Sequence, residues 1–383
     1  MAGSVGTTLK PARAHVTGPA RQAAAALVDE LYNGLGDAVA TAVLYFASSS
    51  YDLSDLAGPI SEAFPDAAVI GCSTAGEFTD RVMGTGGISA VALPYGMLTG
   101  AVAALADLSQ DPVAGMQAAV RALEESLEVP LRDLDPANHL GLILIDGLSL
   151  AEEVVSQVLG DAAPLLDVVG GSAGDDLAFR TTRISVGPHV GERAAALLIC
   201  QTGVPFQVIK TCSFVSTGRT LRITDVDVAG RTVHTIEGRP AVEAYADALG
   251  VPVGGLDAGV WLRHPVGLMI RGEPWIRAPQ AVLPNGGITF FAQILPGMQV
   301  EVMQATDLIA DTRAAVAAAR ERLGGGSGAV MFNCVLRRVE LDRERSGASF
   351  LRAFGGLPLA GFHTYGETWL GHVNQTMTGV VFG

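Results

Sequence analysis

Three short turns in this sequence combine residue types that can hold the polar ends of a small molecule. They are Gly71-Cys72-Ser73-Thr74-Ala75-Gly76-Glu77, Gly170-Gly171-Ser172-Ala173-Gly174-Asp175 and Gly361-Phe362-His363-Thr364-Tyr365-Gly366-Glu367. All share a hydroxyl residue, any residue, Gly and then an acid. Thr74, Ser172 and Thr364 fall in one column, Gly76, Gly174 and Gly366 in the next, and Glu77, Asp175 and Glu367 in the last. Hydroxyls, main-chain N–H groups exposed beside a glycine, and a fixed carboxylate can together bind a zwitterion such as an amino acid. The same residues also make a well-capped turn without any ligand, because glycine supplies positive φ while hydroxyl and acid cap local N–H groups.

Other side chains offer different chemistry. Arg337 lies three residues after Cys334 at the end of a buried strand, where a guanidinium can emerge into a pocket and grip a carboxylate; Arg338 follows it. Cys72 and Cys334 hold matching places after their strands, which allows a thiol pair as well as two inert buried thiols. None of the seven histidines forms an H-x-x-x-H or H-E-x-x-H pair. His363, inside the third turn, and His264, beside Pro265, are the candidate axial ligands should haem be bound. Gly170-Gly171-Ser172-Ala173-Gly174 fits G-x-S-x-G, which would make Ser172 a hydrolase nucleophile, but it runs into Asp175-Asp176 and a loop rather than a helix.

The elements that must position these residues repeat. A helix over 19–35, strand Thr41–Ala47, helical Tyr51–Phe64 and strand Ala67–Cys72 precede the first turn, and Ile88–Leu93 and Leu98–Leu105 then read as a hairpin. Strand Leu140–Ile145, helix Ala151–Leu159 and strand Leu166–Val169 lead to the second turn, with strands Thr182–Val186 and Ala194–Cys200 after it. Strand Ala329–Asn333, a helical stretch near Phe350–Phe354 and strand Leu357–Gly361 lead to the third, with strands near Trp369 and over Thr376–Phe382. Between the second and third copies lies a strand-rich block, Phe206–Met303, followed by a helix over Thr306–Leu323. Self-similarity of this kind predicts pseudo-repeated modules with equivalent turns at equivalent sheet edges. The expected fold is mixed α/β: two domains of strand-helix-strand-turn-strand modules, with mixed sheets covered by helices.

Composition bounds the rest. The 383 residues are 49% hydrophobic, enough for a sizeable core, and a net charge of −14 argues against a nucleic-acid partner. The four cysteines are scattered and no signal-peptide pattern follows Met1, so a reducing cytoplasm is expected, with residues 1–18 as a flexible lead. Val82–Ala106 has no charged residue and is long enough to cross a bilayer, but its glycines and Pro94-Tyr95-Gly96 divide it into two strands, so no membrane insertion is expected. Apolar strands near both ends leave room for a dimer.

The ordered set Ile70-Gly71-Cys72-Ser73-Thr74-Ala75-Gly76-Glu77, Glu237-Gly238-Arg239-Pro240-Ala241, His264-Pro265-Val266-Gly267, Phe332-Asn333-Cys334-Val335-Leu336-Arg337 and Gly361 to Glu367 resembles the FIST family. The resemblance implies a FIST N-type domain over 19–205, a FIST C-type domain over 206–383, and a non-catalytic intracellular sensor of a small polar molecule such as an amino acid or derivative. It implies a ligand set drawn from Cys72, Ser73, Thr74, Glu77, Ser172, Asp175, Cys334, Arg337, His363, Thr364, Tyr365 and Glu367. Some members of the family are haem-binding nitric-oxide sensors that act on a histidine kinase. This sequence shows no output segment of its own, so a separate signalling partner is expected. His363 and His264 depart from the residues usual at their positions in the family.

Overall fold

Alternate residues of the strand Ala40–Ser48 face two cores: Leu44 and Phe46 point to a central one, Val43, Tyr45 and Ala47 to a peripheral one. A strand buried on both faces needs cover on both, which suits a parallel pair inside an α/β layer. In the computed structural model, which describes residues 9–383, its parallel neighbour is Ala68–Thr74, with Phe46 opposite Cys72. Helices Ala20–Leu35 and Ser54–Ala63 cover the outer face through Leu27, Leu31, Leu56 and Ile60.

This unit recurs three times with one plan: strand, helix, strand, helix, strand, turn, a short strand pair, and a returning strand. The first module runs from Ala12–Val16 to Ile88–Pro94, the second from Leu98–Asp107 to Ala194–Thr202, and the third from Phe206–Cys212 to Thr376–Phe382. Each forms a six-stranded mixed sheet, and all three send their inner faces into one central core containing Phe46, Leu144, Phe332, Phe362 and Phe382. The helices lie outside, each set with its own peripheral core. The result is a three-sided prism with pseudo-threefold symmetry.

The short strand pair after each turn leaves its own module. Glu77–Thr79 joins the third module's Leu359–Thr364, Ile184–Val186 joins the first module's Ala68–Thr74, and Glu367–Trp369 joins the second module's Val168–Ser172. Each module therefore completes its neighbour's sheet in a closed cycle. The third module also carries an insert between its first strand and first helix, residues 213 to 307. The insert forms an eight-stranded sheet with helices Ala241–Leu249 and Ala258–Arg263 and its own core around Tyr245, Trp261, Ile288 and Val300.

The mixed α/β architecture of repeated modules agrees with the sequence reading, and three local expectations need correction. Ile88–Pro94 and Leu98–Asp107 do not form a hairpin; they belong to different sheets, because Leu98 opens the second module. The repeat thus starts one strand and one helix earlier than expected, and the helix Pro112–Leu127, capped by Asp111 through the N–H groups of Val113 and Ala114, was not anticipated. Ala12–Val16, placed by sequence in a flexible lead, is an edge strand antiparallel to Ile88–Ala92, while residues 1–8 lie outside the described part. Among the described residues no helix is long and apolar enough to cross a membrane.

Candidate functional site

The three turns lie at the carboxyl ends of the parallel strands and meet at one end of the prism. Ala75 N–H donates to His363 O (3.0 Å) and His363 N–H to Gly76 O (2.7 Å), joining the first and third turns. Gly174 N–H donates to Ser73 O (3.1 Å), and Tyr365 N–H to Ser172 O (3.0 Å), which completes the ring. Gly174 has to be glycine for space: a Cβ there would lie 2.8 Å from both Cβ and N of Ala75. At Gly366 a Cβ would lie 2.0 Å from Cε1 of the buried His372.

Strand register corrects the column order of the second turn. Cys72, Gly171 and Phe362 each pair with the first residue of an incoming strand, Ile184, Glu367 and Glu77 respectively. Ser172 is therefore equivalent to Ser73 and His363, not to Thr74 and Thr364. The two outer turns share a real device: Thr74 donates to Glu77 (3.2 Å), which accepts from Gly87 N–H, and Thr364 donates to Glu367, which accepts Thr376 N–H (3.0 Å) and its hydroxyl (2.7 Å). Burial pushes these carboxyls up to about 8 at Glu77 and about 7 at Glu367, against the pull of those hydrogen bonds. Asp175 has a different task. It caps the loop after the second turn through Phe179, Arg180 and Thr181 N–H and accepts the Tyr365 hydroxyl.

All twelve residues of the expected ligand set are buried, and several are fully engaged in holding the junction. Arg337 does not emerge into a pocket. It sits in the first turn of helix Val335–Arg343, and its guanidinium donates to Asn333 Oδ1 (2.8 Å), Ser213 Oγ (3.2 Å) and Thr312 Oγ1 (2.7 Å), tying strand, insert and helix together. Arg338 instead reaches the turns, donating to Ala75 O (2.5 Å) and pairing with Asp176 (3.2 Å). Because Arg337 can only donate, Asn333 Oδ1 is its acceptor, and Asn333 Nδ2 faces His363 Nδ1 at 2.9 Å. His363 is thereby the neutral tautomer with its proton on Nε2, and burial holds it well below the usual histidine range.

The alternative chemistries find no matching geometry. His363 packs beside the rings of Phe78 (5.1 Å) and Phe350 (6.4 Å), and its Cδ2 edge abuts Gly76, so these residues do not fit a haem; His264 lies in the insert, with Nδ1 3.2 Å from Met303 O. The described residues contain no cluster of three or more metal-ligating side chains. Cys72 and Cys334 are free, buried and on non-equivalent strands, with thiols raised by burial. Ser172 Oγ donates to Glu152 (3.2 Å) rather than to an imidazole, which is not the pairing of a nucleophile with its base.

Ser73 alone of the set is seen to line a described cavity, of about 290 Å³, at the seam of the first and second modules. Its wall comprises Ser49, Ser50, Tyr51, Asp52, Thr181 and Arg183, residues that follow the strand Ala40–Ser48 or precede the incoming strand Ile184–Val186. Arg183 pairs with Asp52 (2.5 Å) and Glu192 (3.3 Å), and its main-chain N–H donates to Ser73 Oγ (3.0 Å). Sequence reasoning passed over Arg183 and Asp52 because they approach only through strand exchange between modules. A second missed group is Arg231, which crosses from the insert to Glu152 and Glu153 at 2.6 Å each.

The fold is thus a pseudo-threefold α/β arrangement of three modules with a polar junction at the strand ends. The sequence matches the FIST N domain over residues 41–239 and the FIST C domain over 241–369, and the chain belongs to the FIST family of sensory signal-transduction domains. No curated protein matches it in sequence. Among solved structures, a chorismatase crystal structure is similar over 98% of both chains at 12% identity and a TM-score of 0.35, which is too distant to support an argument.

Proposed function

We propose that the chain senses a small zwitterion, an amino acid or close derivative, in the cavity of about 290 Å³ beside Ser73. The observation that carries this reading is the Arg183–Asp52 pair in its wall, a guanidinium and a carboxylate side by side, with the serines Ser49 and Ser50 in the same wall. The volume sits near the lower end of small-molecule pockets, roughly 300–1,000 Å³, and suits an amino-acid-sized guest. Side-chain exposures of 32% for Arg183 and 52% for Asp52 make their mutual pairing worth about 0–1 kcal/mol, so a ligand replaces it at little cost. The ligand's carboxylate then meets Arg183 and its ammonium Asp52.

Occupancy would staple the second module's loop to the first module and so bias the seam between them. A separate signalling partner in the same compartment would read that change. The test is a thermal-shift screen of the twenty amino acids on the intact protein, repeated with Arg183→Ala and Asp52→Ala. Stabilisation by one class is expected, about 2.7 kcal/mol at 100 times Kd, and it should vanish in both variants. Stabilisation that survives both substitutions would place the ligand elsewhere.

A further inference from the structure

We propose a second binding site, for a planar aromatic carboxylate, between the tips of two hairpins that come from distant parts of the chain. One hairpin joins Val266–Ile270 to Glu273–Arg277 through Arg271-Gly272, at φ of 53° and 85°. The other joins Glu367–Trp369 to His372–Val373 through Leu370-Gly371. Between them lies a cavity of about 660 Å³ whose wall includes Arg271, Trp275, Arg277, Trp369 and His372. That volume is ample for a substituted benzoate.

The side chains favour a flat anion. Trp275 and Trp369 lie nearly parallel, 11° apart with centroids at 6.4 Å, and offer ring faces on which an aromatic guest can stack. Lys210 Nζ lies 4.5 Å and 5.5 Å from those two ring centroids, so a cation already stands against the tryptophans. Arg277 is partly buried, yet its partners are all neutral carbonyls: Gln293 O (3.0 Å), Ile276 O (3.2 Å) and His372 O (3.1 Å). Its Nε and Nη1 are taken by those carbonyls and only Glu153 supplies opposite charge nearby, while Nη2 has no partner among the described residues and is the donor a guest carboxylate would meet. His372 adds a buried Nδ1 with no partner among the described residues.

Charge points the same way. Arg271 and Arg277 line the cavity against one acid, Glu273, whose charge is offset by Lys210 at 3.3 Å, in a chain of net charge −14. The exposed Ile270 and Leu370 at the tips supply an apolar rim. A guest here would bridge the insert to the second module, because the Glu367–Trp369 strand completes that module's sheet.

The probe is benzoate, with benzamide as its neutral counterpart, titrated into the intact protein and followed by tryptophan fluorescence and calorimetry. Saturable benzoate binding is expected, with benzamide at least tenfold weaker. Trp369→Leu, Arg277→Gln and the exposed Arg271→Ala should each weaken benzoate at least tenfold while the thermal transition remains cooperative; Arg183→Ala should leave it unchanged. Should Arg277→Gln fail to fold, Arg271→Ala and Trp369→Leu carry the test. The proposal is overturned by equal binding of benzoate and benzamide, by no benzoate binding up to 10 mM of probe, by binding that survives both of those variants, or by loss in Arg183→Ala.

Discussion

Arg231 and Arg337 are both buried guanidiniums, and their partners set their different weights. Arg337 donates to an amide and two hydroxyls, whereas Arg231 faces two carboxylates, Glu152 and Glu153, and Phe291 O. Glu152 in turn accepts from Ser172, so one arginine from the insert steadies the second turn through a helix N-terminus. Removing it takes the hydrogen-bonded counter-charge from two neighbouring carboxylates. Arg231→Ala should therefore destabilise the protein by about 3–5 kcal/mol in urea denaturation. Arg239→Ala, which removes an exposed pair with Asp247, should change it by less than about 1 kcal/mol. Similar losses in the two variants would show that the Arg231 cluster is not a structural clamp.

The turns depend on close main-chain approach, and glycine substitutions separate contact from propensity. Gly174→Ala drives a Cβ against Ala75 in the facing turn and should destabilise by about 1–3 kcal/mol. Gly160→Ala, in the exposed part of helix Glu152–Ala162 with nothing within 4 Å, should stabilise by about 0.5–1 kcal/mol. Equal signs in calorimetry would refute this account of the junction. The same contact shows what the sequence could and could not reveal. Strands such as Ala40–Ser48 and the Thr-x-Gly-Glu turns announce themselves by apolar runs and punctuation. The offset of Ser172 does not, because it is fixed by strand pairing with Glu367, almost two hundred positions away. Exchanged strands as short as Glu77–Thr79 have no local apolar signature, since their partners belong to another module. Arg337 misleads for a related reason: helix Val335–Arg343 starts directly off the strand with no glycine or proline to mark the change, and it turns the side chain inward. Helix Pro112–Leu127 was legible in Asp111-Pro112 and the spacing of Met116, Ala119, Val120 and Leu123, but fell between two copies of a repeat taken too short.

Closure of the three modules into one prism buries Glu77 and Glu367 on exchanged strands, so assembly of the fold is coupled to their protonation. In the unfolded chain both ionise near 4.5, whereas burial in the fold raises them to about 8 and about 7. A raised carboxyl gives stability that is complete below the unfolded value and is lost as pH rises through the folded one. The contribution of Glu77 and Glu367 should therefore fall from about pH 4.5 upward and level off near pH 8, where both carboxyls are ionised in the fold as well. His15, whose Nε2 lies 4.0 Å from Glu77, and the buried His363 and His372 are shifted the opposite way, chiefly by desolvation. Their contribution is complete above the unfolded histidine value of 6.5 and is lost as pH falls, which bends the curve down on the acid side. Thermal unfolding from pH 5 to 9 at constant ionic strength should give a maximum near neutrality. Glu77→Gln with Glu367→Gln keeps amide hydrogen bonding but removes both protons from the balance, so the decline above about pH 6.5 should flatten and the acid limb, no longer opposed by the carboxyls, should steepen. An alkaline limb that persists in the double variant would show that the exchanged strands do not carry the pH dependence.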